Sequence, residues 1–374
     1  MIAGEASGDL HGANLVQELR RQDPSVEVHG VGSRKMREAG VTMLADASAI
    51  SVVGATEVLT HLGPIYRVYA TLKRFLREER PDLLILIDFP DFNILVGKAA
   101  RRLGIPVLYY ISPQVWAWRK GRARTIARLV RAILVLFPFE VDIYRREGAD
   151  VRFVGHPLAD SARSGLTQSQ ARSQLGLAPG RRTVALLPGS RRKEIENLLP
   201  DMLAAARILR ERFPDLQFLL PLAPTLDPAL VRGTVDAAGV PVTVVDGRVY
   251  DVLRAADAAM VTSGTATLET GLMAVPMVIV YRVSRLSYLI GRMIIDVKHI
   301  GLVNIVAGRT VAPELIQDAV TPERIAAELE AVLADPVRHR AVVGELTQVR
   351  RLLGEGGASR KAAAAVLEVL GEKD

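Results

Sequence analysis

Short apolar runs alternate along the chain with longer stretches in which apolar positions recur every three or four residues. In the first half, Val26–His29, Leu83–Asp88, Val107–Ile111, Ala132–Leu136 and Val151–Val154 have the length and composition of buried strands. Between them, His11–Arg21, Arg67–Glu79, Phe92–Leu103, Arg122–Arg131 and Phe139–Glu147 carry the period of amphipathic helices. Strand and helix in close succession predict a doubly wound parallel sheet, which binds ligands beyond the carboxyl ends of its strands. The pattern lapses over Ala159–Pro179 and then restarts. Strands are expected at Thr183–Leu187, Gln217–Pro221, Val242–Val245, Ala258–Val261 and Met277–Tyr281, with helices at Glu194–Arg212, Pro228–Ala238, Val249–Ala255 and Thr265–Ala274. After Thr321 the chain reads as helices alone: Pro322–Leu333, Val337–Leu353 and Ala358–Leu370.

The simplest architecture is α/β: two Rossmann-like parallel-sheet domains facing across a cleft, over 1–162 and 163–340, with a helical C-terminus over 341–374. That last segment crosses back to the first domain or is exchanged in a homodimer. A chain of 374 residues, 49% hydrophobic, is long enough to bury two cores. The absence of cysteine agrees with a reducing compartment. No signal-peptide order opens the chain and no apolar run reaches about 18 residues, so a soluble, cytoplasmic protein is expected.

A net charge of +7 favours an anionic partner: nucleic acid, anionic lipid or a phosphorylated substrate. With 5% aromatic residues and neither zinc-finger spacing nor an RNA-binding aromatic signature, nucleic acid is not expected. His61, His156 and His299 lie outside metal-ligand spacing, so neither a metal site nor a cofactor is expected.

Chemistry gathers where strands end. Val261–Glu269 runs from an apolar strand through Ser263, Gly264 and Thr265 into a helix. Such a turn offers unpaired backbone N–H groups to a phosphate, and Glu269, one turn on, can accept hydrogen bonds from a sugar's vicinal hydroxyls. A plain turn capped by Ser263 or Thr265 has the same sequence. Leu187–Glu194 ends another strand in a glycine turn, where the guanidinium fork of Arg191 matches a diphosphate. In the first half, Gly4–Asp9 forms a tight loop with Glu5 and Ser7, short of the dinucleotide fingerprint. Leu83–Ile87 delivers Asp88 to a strand end between Phe89 and Phe92, where a partly desolvated carboxylate can act as a general base; helix capping is the alternative. Ile111–Arg119 holds both tryptophans, Trp116 and Trp118, which wall a cleft or pack beneath it. Pro64–Phe75 interleaves apolar residues with Arg67, Lys73 and Arg74, as in a helix touching anionic lipid or one with its apolar face in the core.

Together these stretches resemble the lipid-A-disaccharide synthase family, glycosyltransferases of the two-domain GT-B fold. The resemblance is carried by Ala3–Asp9, Ile87–Asn93, Ser112–Arg119, Phe153–Pro157, Leu186–Arg191, Ser263–Glu269 with Pro276, and Asn304–Gly308. One departure is visible: the family's first strand normally begins several residues further upstream. The resemblance implies an inverting transfer of 2,3-diacylglucosamine from its UDP form to the 6-hydroxyl of 2,3-diacylglucosamine 1-phosphate, giving the β-1,6-linked lipid A disaccharide 1-phosphate and UDP, a step of lipopolysaccharide synthesis. By the same resemblance Asp88 is the base, Arg191 and the Ser263–Thr267 turn hold the diphosphate, and Glu269 holds the ribose. Glu5 and Asn304 join Asp88 as catalytic residues, and Ser7 joins the donor-binding set. Acylated substrates imply peripheral association with the inner membrane through Pro64–Phe75. The rival readings are another UDP-N-acetylglucosamine transferase and a UDP-N-acetylglucosamine 2-epimerase of similar architecture.

Overall fold

The computed structural model describes residues 1–50, 55–116, 121–285, 288–289 and 298–372. Two compact units emerge, Met1–Pro157 together with Leu353–Asp374, and Leu158–Leu352. The division falls five residues earlier than the expected boundary at 162. Nor is 341–374 a segment of its own: its first part stays with the second unit and the remainder joins the first.

The first unit runs β1 (Ile2–Ala3), α1 (Ala6–Gln22), β2 (His29–Gly32), α2 (Arg34–Glu38), β3 (Thr42–Asp46), α3 (Ala55–Glu78), β4 (Leu84–Ile87), α4 (Pro90–Arg102), β5 (Val107–Tyr110), α5 (Gly121–Leu129), β6 (Ala132–Val135), α6 (Pro138–Arg145) and β7 (Asp150–Phe153). Its seven strands form a sheet ordered β3-β2-β1-β4-β5-β6-β7, and every pairing is parallel. Strands β4, β5 and β6 are buried along their whole length, which is why they read as unbroken apolar runs. β2 lies three residues beyond its expected place because its sequence is His-Gly-Val-Gly, a poor strand signal. A Cβ at Gly30 would fall 2.4 Å from the Met1 carbonyl oxygen, and one at Gly32 2.5 Å from Met36 Sδ, so both glycines answer to close packing.

The second unit runs α7 (Leu158–Ser161), α8 (Gln168–Gln174), β8 (Thr183–Leu187), α9 (Arg192–Arg212), β9 (Gln217–Leu222), α10 (Pro228–Ala238), β10 (Val242–Asp246), α11 (Val249–Ala255), β11 (Ala258–Thr262), α12 (Thr265–Leu272), β12 (Met277–Tyr281), α13 (Leu302–Ala307), β13 (Glu314–Ile316), α14 (Pro322–Leu333) and α15 (Pro336–Leu352). Its parallel sheet is ordered β10-β9-β8-β11-β12-β13. The last helix, α16 (Ala358–Gly371), packs on α1 in the first unit. Arg152 ties that unit's far edge to it through Glu368, at 2.6 Å.

The stretch expected to touch lipid is the middle of α3. Val68, Leu72 and Leu76 are buried in the first unit's core. The outer face presents Arg67, Lys73, Arg74 and Arg77, with Tyr66 70% exposed. Most of the apolar side is therefore spent on folding, and what faces outward is a basic surface carrying one aromatic ring. Among the described residues, no helix is long and apolar enough to cross a membrane.

Candidate active site

In the first unit the polar groups gather where β1 and β4 end. α1 starts at Ala6, five residues earlier than its periodicity suggests, which places exposed Glu5 and Ser7 at the head of the helix. Gly4 lets this loop close on β4: a Cβ there would fall 2.4 Å from the ring of Phe89. Asp9 is not part of the site. Its buried carboxylate accepts from the backbone N–H groups of Ser33, Lys35 and Met36 and so caps α2.

Asp88 and Phe89 are consecutive non-glycine residues in the left-handed region, at φ 45° and 46°. Such a pair is strained by about 1–3 kcal/mol per residue and persists only where neighbours enforce it. Here Asn93 Nδ2 donates to the carbonyls of Ile87 (3.1 Å) and Asp88 (2.7 Å), and the Tyr109 hydroxyl donates to the Asp88 carbonyl at 2.6 Å. The Asp88 N–H donates to the carbonyl of Ile111, itself at φ 62°. These bonds engage both backbone groups of Asp88, while its half-buried carboxylate takes a backbone hydrogen bond from Phe89. Its pKa is pushed up to about 6, first by burial and then by the negative charge of Glu5. The structure thus brings Glu5 and Asp88 together, with Ser7 on the adjoining turn. Asp91, in the first turn of α4, is paired with Arg122.

Beneath this edge lies a carboxyl group to which the sequence assigned no part. Glu140, fully buried in α6, accepts from the Phe137 N–H and from Ser112 Oγ, both at 3.1 Å, and burial raises its pKa to about 7. Trp116 meets Phe139 edge-on at 5.3 Å, so this tryptophan packs into the unit's framework. Trp118, Arg119 and Lys120 lie outside the described residues. His156 is buried against Phe137, its ring held neutral down to about pH 4 by burial and then by His11.

The second unit has a pocket of about 560 Å³ at the carboxyl ends of β8, β9 and β11. Arg191, Ser263, Gly264, Thr265 and Glu269 all line it. Gly264, at φ 144°, is the residue before α12, and while the Thr267 N–H donates to its carbonyl at 3.1 Å, Thr265 and Ala266 start the helix at the pocket wall, where first-turn amides lack intrahelical acceptors. Ser263 is not the cap: Gly264 holds that position, and the Ser263 hydroxyl donates to the Ile300 carbonyl at 2.9 Å. Arg191 is 83% exposed and only loosely paired with Glu194, at 3.3 Å. Glu194 instead accepts from the N–H groups of Ser190 and Arg191, at 2.8 and 3.1 Å, which ties up the amides of that turn. The other wall includes Arg248 and Val249, a contribution that the sequence did not signal.

Asn304 stands apart from this pocket. It is completely buried: Nδ2 donates to the Ala312 carbonyl and Glu314 Oε1, and Oδ1 accepts from the N–H groups of Val311 and Ala312. All four of its bonding positions are engaged within the unit, so its side chain builds the framework beside β13. Arg282 is also engaged within the unit, its partly exposed side chain bonded to Asp201 and to the carbonyls of Asn197 and Val320. A further hollow of about 660 Å³ opens at the amino ends of the first unit's strands, the opposite end from Asp88.

Two doubly wound units, each a parallel sheet between helices, define the GT-B fold. The UDP-GlcNAc 2-epimerase from Neisseria meningitidis, solved bound to UDP-GlcNAc, has this fold at a TM-score of 0.61 and 12% identity, covering 98% of each chain. The glycotransferase of kitacinnamycin matches at a TM-score of 0.64 and 18% identity, over 99% of this chain and 98% of that one. At such identities the likeness is one of fold. Sequence narrows it further. The lipid-A-disaccharide synthetase family model matches residues 1–369. The chain is 54% identical to the lipid-A-disaccharide synthase of Geobacter metallireducens over 373 residues, 100% of this chain and 97% of that protein. With its counterpart from Syntrophus aciditrophicus it shares 52% over 375 residues, 100% and 98%. The chain belongs to the lipid-A-disaccharide synthetase family, and is an enzyme of the glycosyltransferase class.

Proposed function

We propose that the chain catalyses an inverting transfer of 2,3-diacylglucosamine from UDP-2,3-diacylglucosamine to the 6-hydroxyl of 2,3-diacylglucosamine 1-phosphate. The products are the β-1,6-linked disaccharide 1-phosphate and UDP. The observation that carries this reading is Asp88: a carboxylate at a strand end, held on a strained turn, with its pKa raised to about 6. Such a group is ionised at neutral pH yet basic enough to accept a hydroxyl proton. As the acceptor oxygen bonds to the donor's anomeric carbon, its proton passes to Asp88, and the bond from that carbon to the diphosphate breaks on the opposite face.

The first unit serves as the acceptor side and the second as the donor side. Charge developing on the departing diphosphate is met by Arg191 and by the first-turn amides of α12, while Glu269 accepts from the ribose hydroxyls. Glu5 and Ser7 contact the sugars from the α1 end, and Asn304 acts through the framework beside β13. The basic outer face of α3, with Tyr66, docks on the cytoplasmic face of the inner membrane, where acylated sugars reside.

The test is incubation of the protein with both acylated substrates, followed by mass spectrometry of the lipid fraction. A new disaccharide 1-phosphate that depends on both substrates is the expected result. A folded protein that yields none, or that converts the UDP-sugar without the acceptor, would sink the reading.

A further inference from the structure

Glu269 has a partner that no step above uses. Tyr250, on α11, donates its hydroxyl hydrogen to Glu269 Oε1 at 2.7 Å. Glu269 lines the pocket and Tyr250 does not, so the phenol stands behind the carboxylate. Burial and the negative charge of Glu269 hold the phenol protonated well above its ordinary range, while the hydroxyl of Ser161 approaches it from α7. A tyrosine kept protonated beside a carboxylate donates to it steadily.

Its own position is secured on both sides. Arg248, at φ 53°, starts α11 and bonds Asp251 at 3.0 Å and Gln174 of α8 at 2.9 Å. Asp251 accepts from Ser164 Oγ at 2.6 Å. A glutamate has three side-chain torsions, and fixing one carboxylate oxygen from behind aims the group at whatever fills the pocket.

We propose that Tyr250 is a positioning residue that orients the Glu269 carboxylate onto the vicinal ribose hydroxyls of a nucleoside diphosphate, and thereby sets the preference for ribo- over deoxyribonucleotides. The inference rests on the donor-site reading above and deepens it. Tyr250 touches no substrate; its effect reaches the nucleotide only through Glu269.

The experiment measures Kd by calorimetry for UDP and for 2′-deoxy-UDP with the intact protein and with Tyr250→Phe, Glu269→Gln and the double variant. Losing a hydrogen bond to a charged group costs roughly tenfold or more in affinity, so the unaltered protein prefers UDP by about that factor. Tyr250→Phe removes one oxygen and keeps the ring packed. It narrows the preference to about threefold or less, weakening UDP more than 2′-deoxy-UDP, which keeps one of the two hydroxyls. In the Glu269→Gln background it changes the ratio no further. Equal weakening of both nucleotides, an unchanged ratio in Tyr250→Phe, or full additivity in the double variant overturns the proposal while the donor site stands. If Glu269→Gln itself leaves the ratio unchanged, or the protein binds neither nucleotide, the assignment of Glu269 to the ribose falls, and this proposal with it.

Discussion

At the carboxyl edge of the first sheet, Asp88 sits half-buried on a strained turn, with its carbonyl bonded twice and its N–H once. At the matching edge of the second, Arg191 is 83% exposed and Gly264 leaves the start of α12 open. One edge holds a carboxylate whose basicity comes from desolvation and a like charge, and its geometry is enforced before anything binds. The other holds donors that await an anion. The same doubly wound plan thus supports both a preformed acid–base group and a receptive electrostatic pocket; the difference lies in a few residues beyond each strand.

The largest expected effect comes from the preformed edge. Asp88→Asn keeps the shape and removes the base, and turnover falls by roughly a thousandfold with the donor's KM little changed, as steady-state kinetics would show. A loss below tenfold would reverse the order of the two edges. Next, Arg191→Ala removes an exposed guanidinium, lowering kcat by about a hundredfold while leaving the melting temperature within a degree or so, since exposed pairs add little to stability. Asn304→Ala separates framework from site. It strands two backbone N–H groups and a carbonyl, and costs about 3 kcal/mol in a urea titration. The smallest effect sharpens the electrostatics of Asp88. The rate falls as pH drops through about 6, where the base becomes protonated, and Glu5→Gln moves that limb to lower pH by removing the second cause of the raised pKa. A limb that stays in place would show that burial alone sets it.

Much of the fold was readable because its central strands are buried on both faces and announce themselves as apolar runs, as at Leu84–Ile87 and Ala258–Thr262. The edges were not. β3 is half-exposed and polar at both ends and β13 is only three residues long, so neither Thr42–Asp46 nor Glu314–Ile316 gives an unbroken run to recognise. At the candidate site, the strand-end rule located Asp88, Arg191 and the Ser263–Glu269 turn, because glycine and small hydroxyl residues mark such turns locally. Tyr250 and Glu140 stayed hidden for a different reason: each matters through one long-range contact, to Glu269 and to Ser112, that no spacing in the chain reveals. Asn304 shows the reverse, a polar residue in a suggestive position whose every bond turns inward.

The buried carboxyl of Glu140 ties the first unit's stability to acidity. Its pKa rises from an ordinary 4.5 to about 7 on folding, and that of Asp88 from 3.8 to about 6. Folding therefore takes up protons between those limits, and the stability these two groups contribute declines as pH climbs from about 4 towards 7, then levels off. This runs against the usual course of acid denaturation. Ionising the base for work at neutral pH thus costs the unit some cohesion, and His156, whose pKa burial lowers from 6.5 to about 4, works in the opposite sense over the same range and offsets part of that cost.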